Sequence, residues 1–377
     1  MAERVLITGG AGFVGSHLAD ALAAAGHEVV LFDNLEPQVH GEGTLRPAYL
    51  QPSHRLVRGD IRDPRALMPL LRAADVVFHL AAMVGVGQSM YQVRRYTDVN
   101  AMGMATLLEG LATERTRLPV RKLLVASSMS IYGEGAYACG THGQVAPRLR
   151  SIEQLDAGQW ETRCPTCDAE LRPLPTNEDK PLNPTSIYAI TKRDHEEMTL
   201  AFGHAYALPV VALRFFNIYG SRQALTNPYT GVAAIFSGRI LAGQAPVIYE
   251  DGGQQRDFVH VSDVVQACSL AMTNAAADYQ VLNVGTGRPT SVLQVGEHLA
   301  RELAWTGGFD IVRKFRAGDI RHCYADITRI QKALDYTPRV RFEDGVRELV
   351  AWVRQGAEVA PPIADADQQL AAYRLVR

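Results

Sequence analysis

The sequence has almost no net charge and no long apolar run. Its 377 residues include 38 basic and 40 acidic side chains, which gives a formal net charge of -2. Nucleic acids and acidic membranes attract proteins through basic faces, so the sequence predicts neither as a partner. No apolar stretch reaches the roughly 20 residues of a membrane span. Residues 1–7 lack the apolar core of a secretory signal, which favours a cytoplasmic location.

Cysteine is also scarce. The five cysteines are odd in number, which argues against a disulfide framework in a reducing compartment. Hydrophobic residues make up 47% of the chain and charged residues 21%, values typical of a globular protein. The length allows one large α/β domain or two smaller ones with a sizeable core.

The first third of the chain alternates short apolar runs with helical patterns. Strands are predicted at residues 5–7, 28–32, 56–57, 76–80 and 122–126. Strands that are separated by helices form parallel sheets with right-handed crossovers. The sequence therefore predicts an α/β fold: a Rossmann-type, doubly wound parallel sheet with a smaller α/β substrate-binding lobe.

The same patterns predict the domain boundaries. Residues 1–132 form a dinucleotide-binding domain that residues 177–217 and 258–275 complete. The other predicted parts are a cysteine-rich insert (133–176), the substrate-binding lobe (218–257 and 276–356) and an exposed C-terminal extension (357–377).

Three glycines, Gly9, Gly12 and Gly15, recur at three-residue spacing between the first strand and the next helix. Gly9 permits the tight turn, Gly12 lets the backbone approach a pyrophosphate, and Gly15 lets helix and strand pack closely. The helix N-terminus favours the phosphates. Asp33 ends the second strand, where a carboxylate binds the adenosine ribose hydroxyls and repels a 2′-phosphate. These features predict an NAD site.

Tyr188 and Lys192 lie four residues apart on one face of a helix predicted over residues 186–206. A free phenol ionises at about pH 10. We expect the nearby ammonium and the positive nicotinamide ring to lower the pKa of Tyr188, and Lys192 to hold the nicotinamide ribose. Ser127, Ser128 and Ser130 follow the strand at 122–126, at the sheet edge where a hydroxyl can reach a substrate oxygen. Tyr188, Lys192 and one of these serines are the predicted catalytic residues.

The order of these motifs resembles the extended short-chain dehydrogenase/reductase family. The matching segments are residues 8–15, 33, 79–82, 127–133, 188–192, 213–220, 252–261 and 318–321. More narrowly, residues 4–352 resemble NAD-dependent nucleotide-sugar epimerases and dehydratases, in particular the dTDP-L-rhamnose and UDP-glucose 4-epimerases. The resemblance implies Ser128, four residues before Tyr132, as the catalytic hydroxyl. It also implies a homodimer that pairs through residues 100–112 and the Tyr188 helix.

Further NAD contacts are predicted beside these motifs. They are Phe13, Val14, Asn34, Asp60, Ile61, Leu80, Ala81, Ala82 and Asn100, together with Tyr188 and Lys192. A nucleotide sugar carries a diphosphate, so its site needs cations and amides. The predicted substrate contacts are Ser89, Ser128, Asn217, Tyr249, Arg256 and Arg321.

The residues after Ser128 discriminate among the reactions of the family. Its dehydratases carry Asp-Glu there, whereas this sequence has Met129 and Ser130. Decarboxylases also use an acid beside the hydroxyl. The resemblance thus implies 4-epimerisation through a transient 4-keto sugar, with NAD recycled. The alternatives are a nucleotide-sugar decarboxylase, dehydratase or reductase, and an inactive NAD-binding scaffold.

The insert carries two ligand pairs, Cys139 with His142 and Cys164 with Cys167, each separated by two residues. This spacing is typical of a tetrahedral Cys3His structural zinc site. The insert has too few apolar residues to build a core alone, so it needs a stabilising element such as a bound metal ion. The alternatives are a redox CxxC pair, free thiols, or another histidine such as His40 as the fourth ligand. A similar segment in dTDP-L-rhamnose 4-epimerases favours a dTDP-6-deoxyhexose as substrate over a UDP-hexose.

Overall fold

The computed structural model describes residues 2–224, 227, 231–316, 318–355 and 364–377, with the backbone alone for 364–367. Its main sheet has seven parallel strands in the order β3-β2-β1-β4-β5-β9-β13. They are β1 (Arg4–Thr8), β2 (Glu28–Asp33), β3 (Arg55–Arg58), β4 (Val76–His79), β5 (Lys122–Ser128), β9 (Val210–Phe215) and β13 (Gln280–Val284), numbered in chain order. Strand order reverses between β1 and β4, which opens a crevice at the carboxyl ends of the strands.

Helices cover both faces of this sheet. On one face α1 (Phe13–Ala24), α10 (Val261–Thr273) and α12 (Thr328–Leu334) bury apolar side chains against the strands. On the other face α3 (Pro64–Leu71), α6 (Gly103–Thr113) and α8 (Ile187–Tyr206) do the same. The short helices α2 (Pro37–His40), α4 (Val86–Ser89) and α5 (Val93–Tyr96) follow strands β2 and β4, and a π-helical turn (Thr97–Met102) joins α5 to α6.

The smaller lobe lies beyond β9. Its strands are β10 (Asn217–Tyr219), β12 (Gln255–His260), β14 (Pro289–Ser291) and β16 (His322–Cys323), with β11 (Val247–Ile248) pairing β15 (Asp310–Ile311). A separate apolar core joins α9 (Val232–Leu241), α11 (Val292–Glu302) and α13 (Phe342–Arg354). The predicted boundaries differ from the structure at β13 and α12: β13 pairs in parallel with β9 and α12 packs against the main sheet, so residues 280–284 and 328–334 belong to the larger domain.

The insert forms a small antiparallel sheet in the order β7-β6-β8. It contains β6 (Ala136–Cys139), β7 (Gly143–Val145), β8 (Arg172–Leu174) and the helix α7 (Ile152–Asp156). Its apolar core is confined to Tyr137, Cys139, Cys164 and Leu171, with Val145 at the edge. A core this small agrees with the expectation that the insert needs another source of stability.

The described side chains of the C-terminal extension are mostly exposed, but the extension docks on the rest of the protein at two points. Helix α14 (Ala364–Ala372) buries Leu370 against Gly87, and the backbones of Phe315 and Arg377 form a reciprocal hydrogen-bonded pair. The apolar side chain of Leu370 and an antiparallel bridge between Arg316 and Val376 account for this docking. Residues 357–363 lie outside the described part of the chain. Among the described helices, none is both long and apolar enough to cross a bilayer.

Candidate functional site

A cavity of about 500 Å³ lies at the carboxyl ends of β1, β2, β4, β5 and β9. It collects most of the site residues that the sequence predicts, from segments far apart in the chain. The predicted residues that line it are Gly9, Gly12, Phe13, Val14, Gly15, Asp33, Asn34, Ile61, Leu80, Ala81, Ala82, Ser128, Tyr188, Lys192 and Asn217.

The glycine turn packs too closely for side chains. Gly9 has a φ of 68°, and a Cβ placed there would lie 2.7 Å from the nitrogen of Ala81. A Cβ at Gly15 would collide with the carbonyl oxygen of Gly9. Gly12 precedes α1 and lines the cavity, so the free amides at the start of that helix face it. This arrangement fits a dinucleotide pyrophosphate.

Asp33 is buried at the end of β2. Its carboxylate accepts hydrogen bonds from the backbone N–H of Ala11 (3.0 Å) and of Leu35 (2.9 Å). These bonds fix the carboxylate beside the glycine turn, at the edge of the cavity. The position fits an adenosine ribose, and the donor set and the glycine turn together fit NAD.

Ser128, Tyr188 and Lys192 come together on one side of the cavity. The Tyr188 hydroxyl interacts with the Ser128 side chain. The Ser128 Oγ accepts hydrogen bonds from the N–H (3.2 Å) and the hydroxyl (2.9 Å) of Ser130. Lys192 Nζ donates to the carbonyl oxygen of Ala126 at 3.0 Å. Strand β5 and helix α8 thus place all three groups within one small volume.

Burial controls the ionisation of these groups. It raises the pKa of Tyr188, and the interaction with Ser128 opposes that shift. Burial also lowers the pKa of Lys192 to about 7. The expectation that Lys192 lowers the pKa of Tyr188 therefore needs correction. The ammonium is itself desolvated and points to the Ala126 carbonyl, so it supplies less favourable charge to the phenol.

Two buried histidines lie behind Lys192. The rings of His79 and His195 are 5.1 Å apart, and each His pKa is lowered by burial and by Lys192, that of His79 to about 3. Both rings are therefore neutral at physiological pH. They fill space beneath Lys192 without adding charge that would disfavour its protonated form.

Two predicted contacts, Ser89 and Asn100, are buried behind the cavity wall. The Ser89 Oγ accepts a hydrogen bond from the backbone N–H of Tyr188 (3.0 Å). Asn100 bonds to both backbone groups of Met83 and donates to the Thr191 hydroxyl (3.0 Å). The structure therefore places these side chains as supports of the α8 residues that line the cavity, and not in the lining.

Asp60 and Tyr249 also lie outside the lining. Asp60 pairs with Arg62 at 2.7 Å, which leaves Gly59 and Ile61 to line the cavity. The Tyr249 ring carries the Arg316 guanidinium at 4.5 Å from its centroid. Each side chain is held by an arginine that is close in space, Arg62 for Asp60 and Arg316 for Tyr249, and these contacts explain why neither lines the cavity.

The two predicted diphosphate contacts differ in their surroundings. Arg321 is only 2% exposed, and its guanidinium contacts Glu161, Glu250 and Asp251. Its assignment as a phosphate contact is therefore corrected: the carboxylates already satisfy this cation. Arg256 also lies outside the lining, two residues before Phe258 of the lining, and its guanidinium donates to the carbonyl oxygens of Ile320 (2.7 Å) and Arg321 (2.8 Å).

Several lining residues escaped the sequence reasoning. They include Gln38, His40, Phe216, Gln223, Asn227 and Phe258. Gln38 donates hydrogen bonds to Gln88 (3.1 Å) and to Asn227 (3.0 Å), which joins α2, α4 and Asn227 at the cavity edge. Segments this short carry no periodic signal, but Phe216 and Phe258 stand in segments that carry the family resemblance, so that resemblance could have identified them.

A buried ion pair also escaped notice. Arg214 on β9 pairs with Glu196 on α8, and both side chains are nearly inaccessible. Glu196 accepts a hydrogen bond from Ser127 (2.9 Å), and Arg214 donates one to the Tyr132 hydroxyl (2.7 Å). The network surrounds Ser128 on strand β5 and fixes α8 relative to it.

The four predicted metal ligands converge in the insert. The ligand atoms of Cys139, His142, Cys164 and Cys167 all lie within 4.8 Å of one another. The Cys139 Sγ is 3.6 Å from the Cys167 Sγ and 3.5 Å from the His142 Nδ1. Sulfurs bound to one tetrahedral zinc lie about 3.8 Å apart. The spacing fits that ion.

Comparisons with known proteins agree with this architecture. The profile of the NAD dependent epimerase/dehydratase family matches residues 5–149 and 166–285. The chain is 33% identical to a dTDP-L-rhamnose 4-epimerase of Burkholderia thailandensis, covering 94% of this chain and 95% of that one.

Two solved structures are also similar. A UDP-glucose 4-epimerase of Thermotoga maritima with UDP-glucose has a TM-score of 0.76 at 30% identity, covering 94% of this chain and 100% of that one. A UDP-glucose 4-epimerase of Thermus thermophilus in complex with NAD has a TM-score of 0.73 at 29% identity, covering 93% and 99%. By profile, sequence and fold, this chain belongs to the NAD dependent epimerase/dehydratase family.

Proposed function

We propose that this chain is an NAD-dependent nucleotide-sugar 4-epimerase. The observation that carries the proposal is that Ser128, Tyr188 and Lys192 line the same cavity as the glycine turn and Asp33. A sugar hydroxyl beside Tyr188 is then within reach of a nicotinamide ring. The similarity to two kinds of named 4-epimerase supports the reaction.

In the proposed mechanism, Tyr188 takes the proton of the sugar C4 hydroxyl and later returns it. Ser128 hydrogen-bonds the same oxygen and orients it. Lys192 holds the nicotinamide ribose. NAD supplies the acceptor, and then the donor, of the C4 hydride when it is bound. Because the raised pKa of Tyr188 opposes ionisation, the phenolate depends on positive charge beside the ring.

The cavity chemistry disfavours dehydration. Met129 and Ser130 follow Ser128 and both line the cavity, where the dehydratases of the family carry two acids. Within the described residues, the carboxylates of the lining are Asp33 at the end of β2 and Glu36 after it, and strands β1 and β4 separate β2 from β5. No acid of the described lining is thus placed beside Ser128 to protonate a leaving hydroxyl.

We assign the substrate to a dTDP-6-deoxyhexose or a UDP-hexose, with the diphosphate at Arg256 and a phosphate or sugar oxygen at Asn217. The relative from Burkholderia thailandensis supports the first sugar and the relative from Thermotoga maritima the second. The proposed Arg256 contact rests on the cationic side chain, on the family resemblance of residues 252–261, and on its position two residues before Phe258 of the cavity lining.

The experiment uses proton NMR of UDP-, dTDP- and GDP-sugars incubated with the protein. We expect interconversion of C4 epimers without added cofactor, because the hydride returns to the same sugar. A 4-keto product, release of carbon dioxide or consumption of reduced cofactor would each overturn the proposal. Tyr188→Phe serves as the negative control, with bound NAD measured by absorbance after denaturation.

We also propose that the insert holds a structural zinc ion through Cys139, His142, Cys164 and Cys167. Four ligand atoms close the coordination shell, so the ion would stabilise the insert and take no part in the reaction. Metal analysis of the purified protein tests this proposal. One zinc per chain is expected, and a metal-free wild type would end it.

We propose a homodimer that pairs through α6 and α8. Ile190 and Met198 lie eight residues apart on one face of α8 and are 42% and 37% exposed, and Met102 before α6 is 55% exposed. Apolar side chains on neighbouring helix faces are typical of subunit contacts. Light scattering coupled to size exclusion is expected to give a dimer mass that Ile190→Glu reduces. A monomeric wild type would contradict the pairing.

A further inference from the structure

The cysteine-rich insert docks on the smaller lobe through buried ion pairs. Arg150 pairs with Glu250 at 2.8 Å, and both side chains are 2% exposed. Glu161 of the insert pairs with Arg321 at 2.6 Å. Two charged side chains of the insert, Arg150 and Glu161, thus form ion pairs with the lobe that carries Arg256.

Every N–H donor of the Arg321 guanidinium has a carboxylate partner. The Nε and one N–H of Nη2 donate to Glu161 (2.9 and 2.6 Å), and the other N–H of Nη2 donates to Asp251 (2.9 Å). The Nη1 donates to Glu250 (3.0 Å) and Asp251 (2.7 Å). Arginine has five N–H donors in a rigid fork, so this set fixes the side chain and the backbone beside it.

That backbone holds Arg256. The carbonyl oxygens of Ile320 and Arg321 accept hydrogen bonds from the Arg256 guanidinium at 2.7 and 2.8 Å. Asp319 lies 3.5 Å from the same guanidinium. The carbonyl oxygen of Gln255 accepts a further bond at 2.9 Å, so the segment 319–321 and Gln255 together fix where the Arg256 cation points.

We propose that Arg321 and Glu161 are positioning residues that couple the cysteine-rich insert to the diphosphate contact of Arg256. The proposal rests on the proposed function, because it uses the assignment of Arg256 to the diphosphate. The insert then supports substrate binding from outside the cavity. Glu161 also bonds His322 at 2.8 Å. Loss of the Glu161 negative charge weakens the bonds at one edge of the Arg321 fork and the bond to His322, so the carbonyls of 320 and 321 shift and the Arg256 cation with them.

A double-mutant cycle on nucleotide binding tests the coupling. The probes are dTDP, UDP and GDP, titrated calorimetrically into the NAD-loaded protein. We expect Arg256→Gln to weaken binding by about 10–100-fold, because it removes a charge-assisted bond. We expect Glu161→Gln to weaken binding by about 3–10-fold. The double variant should bind no worse than Arg256→Gln alone, since both changes remove one contact.

Controls separate positioning from general damage. Asp156→Asn removes an exposed carboxylate from the same insert and should leave binding unchanged. In epimerase assays, Glu161→Gln should raise KM while kcat and bound NAD stay within about twofold of wild type. If Glu161→Gln does not fold, Arg321→Lys enters the cycle, because lysine cannot make the forked contacts.

The outcomes are distinct. Additive losses in the cycle, or a Glu161→Gln variant with unchanged nucleotide affinity, would overturn the positioning proposal alone. Coupled losses without epimerase activity in the wild type would support positioning and overturn the proposed function. No binding of any of the three nucleotides would overturn both.

Discussion

The backbone N–H of Tyr188 donates a hydrogen bond of 3.0 Å to the hydroxyl oxygen of Ser89. That N–H belongs to the first turn of α8, where backbone donors have no partner within the helix. Ser89 is fully buried and in turn donates to the carbonyl oxygen of Val86 at 2.6 Å. The helix that carries Tyr188 and Lys192 is thus anchored to the loop that follows β4.

The first prediction concerns this anchor. We expect Ser89→Ala to lower the free energy of unfolding by about 1–3 kcal/mol, because it leaves a buried N–H without its acceptor. We expect kcat to fall more than KM rises, since the change moves Tyr188. Chemical denaturation and steady-state kinetics measure both effects. Ser269→Ala, which removes a hydroxyl bonded to Val265 within α10, should change stability by less than about 0.5 kcal/mol.

The second prediction compares two neighbouring glutamates on α8. Glu196 pairs with Arg214 in the interior, whereas Glu197 pairs with Arg193 at the surface. Glu196→Gln leaves a buried guanidinium uncompensated and should cost about 3–5 kcal/mol of unfolding free energy. Glu197→Gln should cost no more than about 1 kcal/mol. Equal losses in urea denaturation would contradict this account of the network.

The third prediction follows from the lowered pKa of Lys192, about 7. In the unfolded chain this amine keeps its proton up to about pH 10.4, so the unfolded state binds more protons between the two values. Burying the charged Lys192 amine therefore lowers the free energy of unfolding by the full amount below about pH 7, and by less as the pH rises above that value.

Lys192→Met should raise the free energy of unfolding at about pH 6, and the gain should fade towards about pH 10. Denaturation curves across this range measure the trend. Lys332→Met, at an exposed position of α12, provides the matched control and should show no such trend. A gain for Lys192→Met that stays constant with pH would show that the amine is not desolvated.

The fourth prediction concerns the insert. Prolonged chelation should lower the melting temperature of the wild type, because a bound ion stabilises only the folded state. Cys164→Ser should contain less zinc and respond little to the chelator. Cys268→Ser changes a thiol buried within α10 and should keep the full zinc content. Equal zinc in both variants would point to ligands other than the four proposed.

The sequence by itself determined the features that depend on local spacing. The glycine turn, Asp33 at the end of β2 and the Tyr188–Lys192 pair all lie within single strand–helix units, so their positions follow from backbone geometry. The same holds for the two ligand pairs of the insert, although their convergence required the fold of three short strands.

Only the tertiary structure decided which polar side chains reach the cavity. Ser89 and Asn100 stand near the site in the sequence, but their hydrogen bonds to α8 turn them into supports. Arg321 stands in a segment that carries the family resemblance, yet its partner Glu161 lies 160 residues away. Such contacts form between segments that only folding brings together, and the desolvation of a buried cation requires them. Spacing along the chain therefore predicted which segments carry the site residues. Long-range packing decided which of their polar and charged side chains reach the cavity and which support it from behind.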